Sequence, residues 1–492
     1  MDFEYRTMAE TLKDKTAKGL FWGAMNNGVQ QALGVVFGIV LGRLLVPDDF
    51  GLVAMITVFS AIANALQNSG FSTALINEKE PKDSNYNAVF WFNVFMGLAI
   101  YAVLFFCAPL IADYYHEPRL VWLSRYAFLS FVFSSFGVAQ AAYLYKNMMA
   151  KQLAKANIIG VLLSSGTAVL MAWAGCSYWT IATQTNLFIL ISTLLRWHYS
   201  DWRPSQLRRS TDFSFISRAF PFSVKILLSE MFTQLNNNVM NILFGRYYGS
   251  HSTGQYNQAY QWNFKGYSLV QNMVKQVDQA VLVSLSDERE RQLAVLRKMV
   301  RFAAFIAFPL MLGFGLVAKE FIVLAIGEKW LVSAGYIQIL CVAGAAMPIS
   351  TLLSDLVVSR GRSDIFLWSN VALGVCQVTV MIMLYALGFD IRSMVIAYTL
   401  LMLCWLFVWH FFVRKLTGYT MLMLLKDIIP FALAAVAVMA FTWLATQTID
   451  SLWLLLLCRV ALAGLSYYII MRITGAAILR ECVEFIKRKQ SL

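Results

Sequence analysis

Long apolar runs occupy most of this sequence, and they constrain its fold more than any other feature. A helix needs about 20 predominantly apolar residues to cross a bilayer, and runs of that length recur from residue 19 to residue 473. The 492 residues are 59% hydrophobic and only 14% charged, whereas roughly 25% of an ordinary soluble domain is charged. Such a chain cannot cover a water-soluble surface. We therefore predict an all-α polytopic membrane protein.

The runs predict about fourteen transmembrane helices. They lie at 19–45, 49–76, 86–112, 120–147, 153–174, 177–197, 214–244, 254–286, 292–318, 332–358, 364–388, 391–413, 427–447 and 452–473. The longest interruption, Trp197–Asp212, is polar and basic and is typical of a linker. We predict two pseudo-symmetric six-helix lobes, at 1–200 and 201–415, and two extra C-terminal helices within 416–492. Six spans per lobe would insert both lobes in the same orientation, as a parallel repeat does.

The distribution of basic residues predicts the topology. With a cytoplasmic N-terminus, most of the 40 lysines and arginines fall in cytoplasmic segments, as the positive-inside rule requires. Both termini are then cytoplasmic in a bacterial inner membrane. The first apolar run, Gly19 to Leu45, is too long for a signal peptide, so we predict a retained span. Because most of the net charge of +13 serves this topology, the charge does not indicate nucleic-acid binding. We predict no nucleic-acid partner.

Signatures of soluble chemistry are missing from the sequence. The seven cysteines and four histidines form no cluster at metal-ligand spacing. There is no Walker A loop, no HExxH motif, and no loop long enough for a nucleotide-binding domain. We predict no metal, no cofactor and no catalytic residue, and we do not expect an enzyme.

An internal repeat is visible at an offset of 203 positions. This offset places Gly42-Arg43 on Gly245-Arg246, Gln31 on Gln234, Gly51 on Gly254 and Asn68 on Gln271, without a gap. The offset agrees with the distance expected from the predicted spans, and it supports two equivalent lobes.

Polar side chains concentrate in the first two predicted spans of each lobe. Because polar groups inside a bilayer are costly, their positions point to function. On span eight they recur at three- and four-residue steps, at Asn257, Gln261, Lys265, Ser268, Asn272 and Lys275. Span seven repeats the pattern at Lys225, Ser229, Thr233, Asn237 and Asn241. Such steps stack on one helical face. The stripes predict one shared substrate cavity, although any single amide could instead be an interhelical hydrogen bond.

The cations in these stripes point to an anionic ligand. Lys265 has no acidic residue within four positions, so it contacts either a substrate anion or an acid on another helix. Lys275 either binds substrate or pairs with Asp278, one turn away. Lys225 and Glu230 are five positions apart and poorly placed for pairing. Glu230 and Asp278 are also candidate ion-coupling carboxylates.

Other charges have two interpretations. Arg43 and Arg246, matched by the repeat, either line the rim of the cavity or reach the membrane surface. Arg125, Asp355 and Arg459 are lone charges for which we favour structural roles. The complete set of predicted substrate ligands is Lys265, Lys225, Lys275, Arg43, Arg246, Gln31, Asn68, Gln234, Asn237, Gln261 and Asn272.

Several motifs resemble a known family. The opening Lys15–Gly23, the run from Gly42 to Leu52, Gly327-Glu328-Lys329-Trp330 and the run from Ile339 to Gly344 are similar to the Wzx-type lipopolysaccharide and colanic-acid exporters. Those exporters belong to the multidrug/oligosaccharidyl-lipid/polysaccharide (MOP) flippase superfamily. The resemblance implies two six-helix lobes around a cavity lined by spans one, two, seven and eight. It also implies an undecaprenyl-diphosphate-linked oligosaccharide substrate, moved by alternating access for surface polysaccharide synthesis.

The resemblance leaves the substrate class open. A cation-coupled multidrug antiporter would favour acids and aromatics in the cavity, whereas this polar face carries Lys225, Lys265 and Lys275. A peptidoglycan lipid-precursor flippase would share the cationic cavity. The expected partners are the lipid-linked oligosaccharide and membrane lipids, with a polysaccharide polymerase and glycosyltransferases as further candidates.

Overall fold

Helices make up almost all of the structure, which is a computed structural model. The described residues are 2–68, 75, 78, 81–205, 214–275, 281–282, 284–285, 288–475 and 478–479, and their side chains are described except at 2–20, 24, 68 and 214–229. No strand occurs among these residues. The predicted all-α class is confirmed.

The helices up to residue 275 differ greatly in length. They are α1 (Asp2–Leu44), α2 (Pro47–Asn68), α3 (Asp83–Tyr115), α4 (Leu120–Ala127), α5 (Leu129–Ser135), α6 (Val138–Lys146), α7 (Ala150–Trp173), α8 (Trp179–Tyr199) and α9 (Ser214–Lys275). Non-helical dihedral angles at Gly249, φ 77° and ψ −177°, break α9 into two sections, 214–248 and 250–275. Glycine adopts a positive φ without the steric cost that a side chain would bring.

The later helices are long and more uniform. They are α10 (Arg289–Ile326), α11 (Leu331–Ser359), α12 (Ser363–Ala386), α13 (Ile391–Thr417), α14 (Met421–Ala445) and α15 (Leu452–Ile473), with a 3₁₀ turn at Glu328–Trp330. Local signals define their ends. The side chain of Asp390 accepts a hydrogen bond from the Ser393 amide at 3.1 Å and caps α13, which ends before Gly418 at φ 81°.

Ten helices among the described residues are long and apolar enough to cross a membrane, or eleven if the bent α4–α6 segment is one span. The other long helices, α8 and α9, are more polar. The segment Val317–Ile326 is the end of the continuous helix α10.

The predicted span at 120–147 is not one helix. The chain forms three short helices there, and the last is bent by 42° from the first two. Side chains from other helices bond its carbonyl oxygens: Gln67 Nε2 donates to Phe131 O at 2.9 Å, and Asn186 Nδ2 donates to Tyr126 O at 2.8 Å. At the bend itself, Trp197 Nε1 donates to Phe136 O at 2.6 Å, and side chains inserted into the backbone ladder are a known cause of kinks in helices.

The chain forms two compact units, Met1–Gly254 and Gln255–Leu492. In the first unit, α7 packs against α1 and α8, and α3 packs against α4 and α5. In the second, α10 packs against α11, α14 and α15, and α11 also packs against α13. The three-part division predicted at 200 and 415 stays a prediction from sequence.

Candidate functional site

The second section of α9 has one buried face and one open face. On the buried face, Gln271 Nε2 donates to Thr351 Oγ1 of α11 at 2.6 Å, and Ser333 N donates to Gln255 Oε1 at 3.1 Å. The Trp262 ring packs edge-to-face on Phe321 of α10, with centroids 5.1 Å apart. These contacts attach the second section of α9 to α10 and α11.

Most of the predicted polar stripe lies on the open face. Gln261, Asn272 and Lys275 are exposed, and Asn257 and Lys265 are partly exposed. Residues at these three- and four-residue spacings lie on the same side of a helix. Ser268 differs, because it is buried and donates to the Lys265 carbonyl at 3.2 Å. The structure therefore separates the amides of α9 into interhelical contacts, such as Gln271, and accessible groups.

Lys265 is held beside an aromatic ring. Its Nζ lies 4.4 Å from the centroid of the Trp262 ring, within the range of a cation–π interaction. The ring stabilises the ammonium group without neutralising its charge. Lys265 therefore presents a positive charge on the partly exposed side of α9.

The first section of α9 supplies fewer described groups. Glu230 is exposed, and its Oε1 accepts a hydrogen bond from Gln234 Nε2 at 2.7 Å. Asn237 is also exposed, whereas Asn238 is buried and donates to the Gln234 carbonyl at 2.9 Å. Lys225 lies outside the described side chains.

The remaining predicted ligands have different surroundings. Gln31 is partly exposed on α1, and Arg43 is exposed near the end of that helix. Arg246 lies with its guanidinium 5.3 Å from the Tyr114 ring centroid, and Nη1 donates to the Tyr114 carbonyl. The side chain of Asn68 and all of Asp278 lie outside the described part of the chain.

Gln67 is a polar residue of predicted span two that joins helices. Only 2% of it is exposed. Besides donating to Phe131 O, its Oε1 accepts a hydrogen bond from Ser134 Oγ at 2.5 Å. Gln67 therefore joins α2 to the broken segment.

Two buried acidic side chains of the second unit have arginine partners that sequence reasoning missed. Arg459 Nη1 lies 3.0 Å from Glu320 Oε1, with both side chains at most 10% exposed. Asp427, whose side chain is fully buried, accepts hydrogen bonds from Arg297 and Arg301 at 2.6 to 3.0 Å. These partners are more than a hundred positions apart, so no local spacing indicates them. The structural role predicted for Arg459 agrees with its contacts.

Within the described residues, no group of three or more His, Cys, Asp or Glu side chains is arranged to hold a metal ion. The second section of α9 offers ammonium groups, amides and aromatic rings.

Three bacterial proteins are similar to the chain over most of its length. It is 24% identical over 363 residues to an uncharacterized membrane protein in the cps region of Klebsiella pneumoniae, covering 72% of this chain and 73% of that protein. It is 25% identical over 364 residues to the lipopolysaccharide biosynthesis protein WzxC of Escherichia coli K12, covering 73% of each. It is 26% identical over 361 residues to the teichuronic acid biosynthesis protein TuaB of Bacillus subtilis 168, covering 72% and 73%.

Solved transporter structures share the fold. The lipid II flippase MurJ, in an inward closed conformation, matches 94% of this chain and 100% of its own, with a TM-score of 0.71 and 15% identity. An inward-facing multidrug resistance MATE family transporter of the MOP superfamily matches 79% of this chain and 96% of its own, with a TM-score of 0.63 and 15% identity. The chain therefore shares its fold with these two transporters.

The matching family model carries the description "Polysaccharide biosynthesis protein" and covers residues 40–335. This match spans more than half of the sequence and includes the open face of α9. The chain is therefore a member of this family of polysaccharide biosynthesis proteins.

Proposed function

We propose that the chain flips an undecaprenyl-diphosphate-linked oligosaccharide across the bacterial inner membrane, for lipopolysaccharide O-antigen, capsule or exopolysaccharide synthesis. The observation that carries this proposal is the open face of α9, where lysines and amides are accessible in an otherwise apolar membrane protein. Polar groups in this position are costly unless they meet water or a polar ligand. Membership of a polysaccharide biosynthesis family supports a saccharide as that ligand.

The residues divide by chemistry between the two parts of this substrate. Ammonium and guanidinium groups suit a diphosphate, and amides suit sugar hydroxyls, because amides both donate and accept hydrogen bonds. We assign the diphosphate to Lys265, Lys275 and Lys225, with Arg43 and Arg246 in supporting positions. The amides assigned to the saccharide are Gln31, Asn68, Gln234, Asn237, Gln261 and Asn272.

The proposed cycle is alternating access by a transporter without catalytic residues. The transporter would have about fourteen spans, arranged as two six-helix lobes and two additional C-terminal helices, and both of its termini would be cytoplasmic. A polysaccharide polymerase and glycosyltransferases would act on the lipid-linked substrate before and after flipping.

We propose that the membrane potential drives the outward step. A diphosphate carries about two negative charges, and outward movement of each is downhill by about 2.3 kcal/mol per 100 mV when the inside is negative. Fixed lysines would lower the cost of bringing this anion into the membrane without moving across it. Coupling to protons through Glu230 or Asp278 is the competing model.

The test uses purified protein in vesicles that contain the lipid-linked oligosaccharide, with membrane potential and pH gradient imposed separately. We expect flipping to follow the potential. Flipping that follows only the proton gradient, and that stops in Glu230→Gln or Asp278→Asn, would contradict the proposed driving force.

The same vesicles separate the competing substrate classes. Lipid II and a cationic dye, offered in place of the lipid-linked oligosaccharide, test a peptidoglycan-precursor flippase and a multidrug antiporter. We expect movement of the oligosaccharide lipid alone. Movement of either competitor without movement of the oligosaccharide lipid would overturn the proposed function.

A further inference from the structure

An aromatic ring is exposed within the polar face of α9. Phe264 is 41% exposed, although it directly precedes Lys265 and follows Gln261 by three positions. It is seven residues from Asn257 and eleven from Lys275, which are two and three helical turns. These spacings place the ring on the same side of the helix as those polar residues. The open face therefore combines amides, ammonium groups and an aromatic surface.

Neighbouring rings hold Phe264 in a defined orientation. Tyr260 stacks on it with centroids 6.5 Å apart and planes inclined by 19°. Tyr256 continues the stack behind Tyr260, with centroids 6.2 Å apart and planes inclined by 28°. Tyr267, which is buried, packs edge-to-face on Phe264 at 5.4 Å. The Phe264 ring is thus exposed, and the aromatic cluster behind it holds the ring in one position before any ligand binds.

Such a ring has the chemistry of a sugar-binding surface. The face of an aromatic ring is electron-rich, and it attracts the weakly positive C–H groups on one side of a pyranose ring. The hydroxyl groups around the edge of the sugar require hydrogen-bond partners, which Gln261 and Asn257 supply. Lys265 lies on the other side of Gln261, about 100° around the helix from Phe264, and its ammonium group suits an anion.

We infer that Phe264 is a stacking platform for the sugar that is attached directly to the diphosphate of the substrate. This assignment rests on the proposed function, and it goes further by dividing the α9 face into two parts. Phe264, with Gln261, contacts the first sugar, and Lys265 contacts the diphosphate beside it.

If Phe264 contacts the sugar and Lys265 the diphosphate, substitutions at these residues should change the binding of two lipid probes differently. The probes are undecaprenyl diphosphate and undecaprenyl diphosphate that carries one N-acetylglucosamine. Affinities of the purified full-length protein are measured by native mass spectrometry in lipid nanodiscs. We expect tighter binding of the sugar-bearing lipid. Phe264→Leu keeps an apolar side chain but removes the ring, so it should weaken binding of the sugar-bearing lipid roughly three- to tenfold, the range expected for loss of one aromatic contact. It should leave binding of undecaprenyl diphosphate unchanged.

Matched variants separate a sugar contact from a structural effect. Phe264→Tyr keeps the ring and should preserve the preference for the sugar-bearing lipid. Phe411→Leu is the control, since Phe411 is also exposed, at 51%, and also lies beside a lysine, with Lys415 Nζ 4.3 Å from its ring centroid. It belongs to α13, and we expect no change in the affinity for either lipid. Lys265→Gln should weaken binding of both lipids.

The outcomes distinguish this inference from the proposed function. Binding of neither lipid by the unaltered protein would overturn the proposed function. Equal affinity of the unaltered protein for both lipids, or an equal loss for both in Phe264→Leu, would overturn the sugar platform alone and indicate that the ring only packs.

Discussion

Gly51 and Gly254 meet backbone to backbone at the start of α2 and in the second section of α9. A Cβ atom at Gly51 would lie 1.8 Å from the Ser250 carbonyl oxygen and 3.0 Å from the Gly254 nitrogen. A Cβ atom at Gly254 would lie 1.8 Å from the Pro47 carbonyl oxygen and 3.0 Å from the Gly51 nitrogen. The contact is reciprocal because Pro47 and Ser250 are separated by the same 203 positions as the two glycines. Equivalent parts of the internal repeat therefore pack on each other.

A polar contact accompanies this crossing. Asp48 Oδ1 accepts a hydrogen bond from Ser250 Oγ at 2.7 Å, and Asp48 Oδ2 lies 3.2 Å from His251 Nδ1. Asp48 and His251 are again 203 positions apart. Asp48 and His251 therefore occupy equivalent positions of the repeat, as the two glycines do. Their side chains differ, and they are complementary in hydrogen bonding.

Gly51→Ala should destabilise the protein, because the new methyl group overlaps a backbone carbonyl that cannot move as a flexible side chain can. Overpacking of this kind costs about 1–3 kcal/mol. Thermal unfolding in detergent measures the loss. Gly166→Ala is the control, since a Cβ atom there meets nothing within 4 Å. A Gly51→Ala protein as stable as the control variant would contradict the close contact.

Asp427→Asn should also destabilise the protein. The change removes the carboxylate that pairs with Arg297 and Arg301. Because these arginine side chains are 27% and 41% exposed, the loss should be smaller than the roughly 3–5 kcal/mol of a fully buried pair. Thermal unfolding in detergent is again the measurement. Asp364→Asn is the control, because Asp364 and Arg362 form an ion pair with side chains 59% and 50% exposed, and we expect no change in melting temperature. Equal melting temperatures for both variants would argue against a structural role for the Asp427 cluster.

The Glu320–Arg459 pair should behave as a coupled unit that attaches α15 to α10. Glu320→Gln and Arg459→Met each leave one buried partner uncompensated, at a cost on the order of 3 kcal/mol. The double variant should lose less stability than the sum of the two single losses, as expected for residues in direct contact. Additive losses in this double-mutant cycle would mean that the two side chains stabilise the protein independently.

Lys265→Ala should abolish flipping of the lipid-linked oligosaccharide while leaving membrane abundance unchanged. The substitution removes a positive charge from the partly exposed side of α9, where we assign the diphosphate. Flipping in vesicles is measured beside Lys415→Ala, whose lysine lies 4.3 Å from the Phe411 ring centroid but belongs to α13. Normal flipping by Lys265→Ala, or its rescue by a change in a nearby acidic residue, would instead support an ion pair.

Both termini should lie in the cytoplasm, because that topology puts most lysines and arginines on the cytoplasmic side. A reporter that is active only outside the cytoplasm, fused after Leu492, should remain inactive. A reporter inserted between α14 and α15, in a loop that the same topology predicts to face outward, should be active. Activity of the Leu492 fusion would reverse the predicted orientation.

The sequence alone determined the properties that depend on local pattern. Apolar runs indicated a helical membrane protein, because backbone groups in a bilayer must be bonded within each segment. Three- and four-residue spacing put Gln261, Lys265 and Asn272 on one side of a helix before any contact was known. The motifs indicated the family, and the repeat identified Gly51 and Gly254 as equivalent.

Only the tertiary structure decided which polar residues are accessible and which ones join helices. Gln67 and Gln261 both lie in predicted spans where polar residues concentrate, but Gln67 is buried against Phe131 and Gln261 is exposed. The partner of Arg459 could not be predicted either, since Glu320 meets it only when α10 packs against α15. The physical reason is that helical periodicity specifies a direction from the helix axis, whereas the neighbour in that direction depends on how distant segments pack.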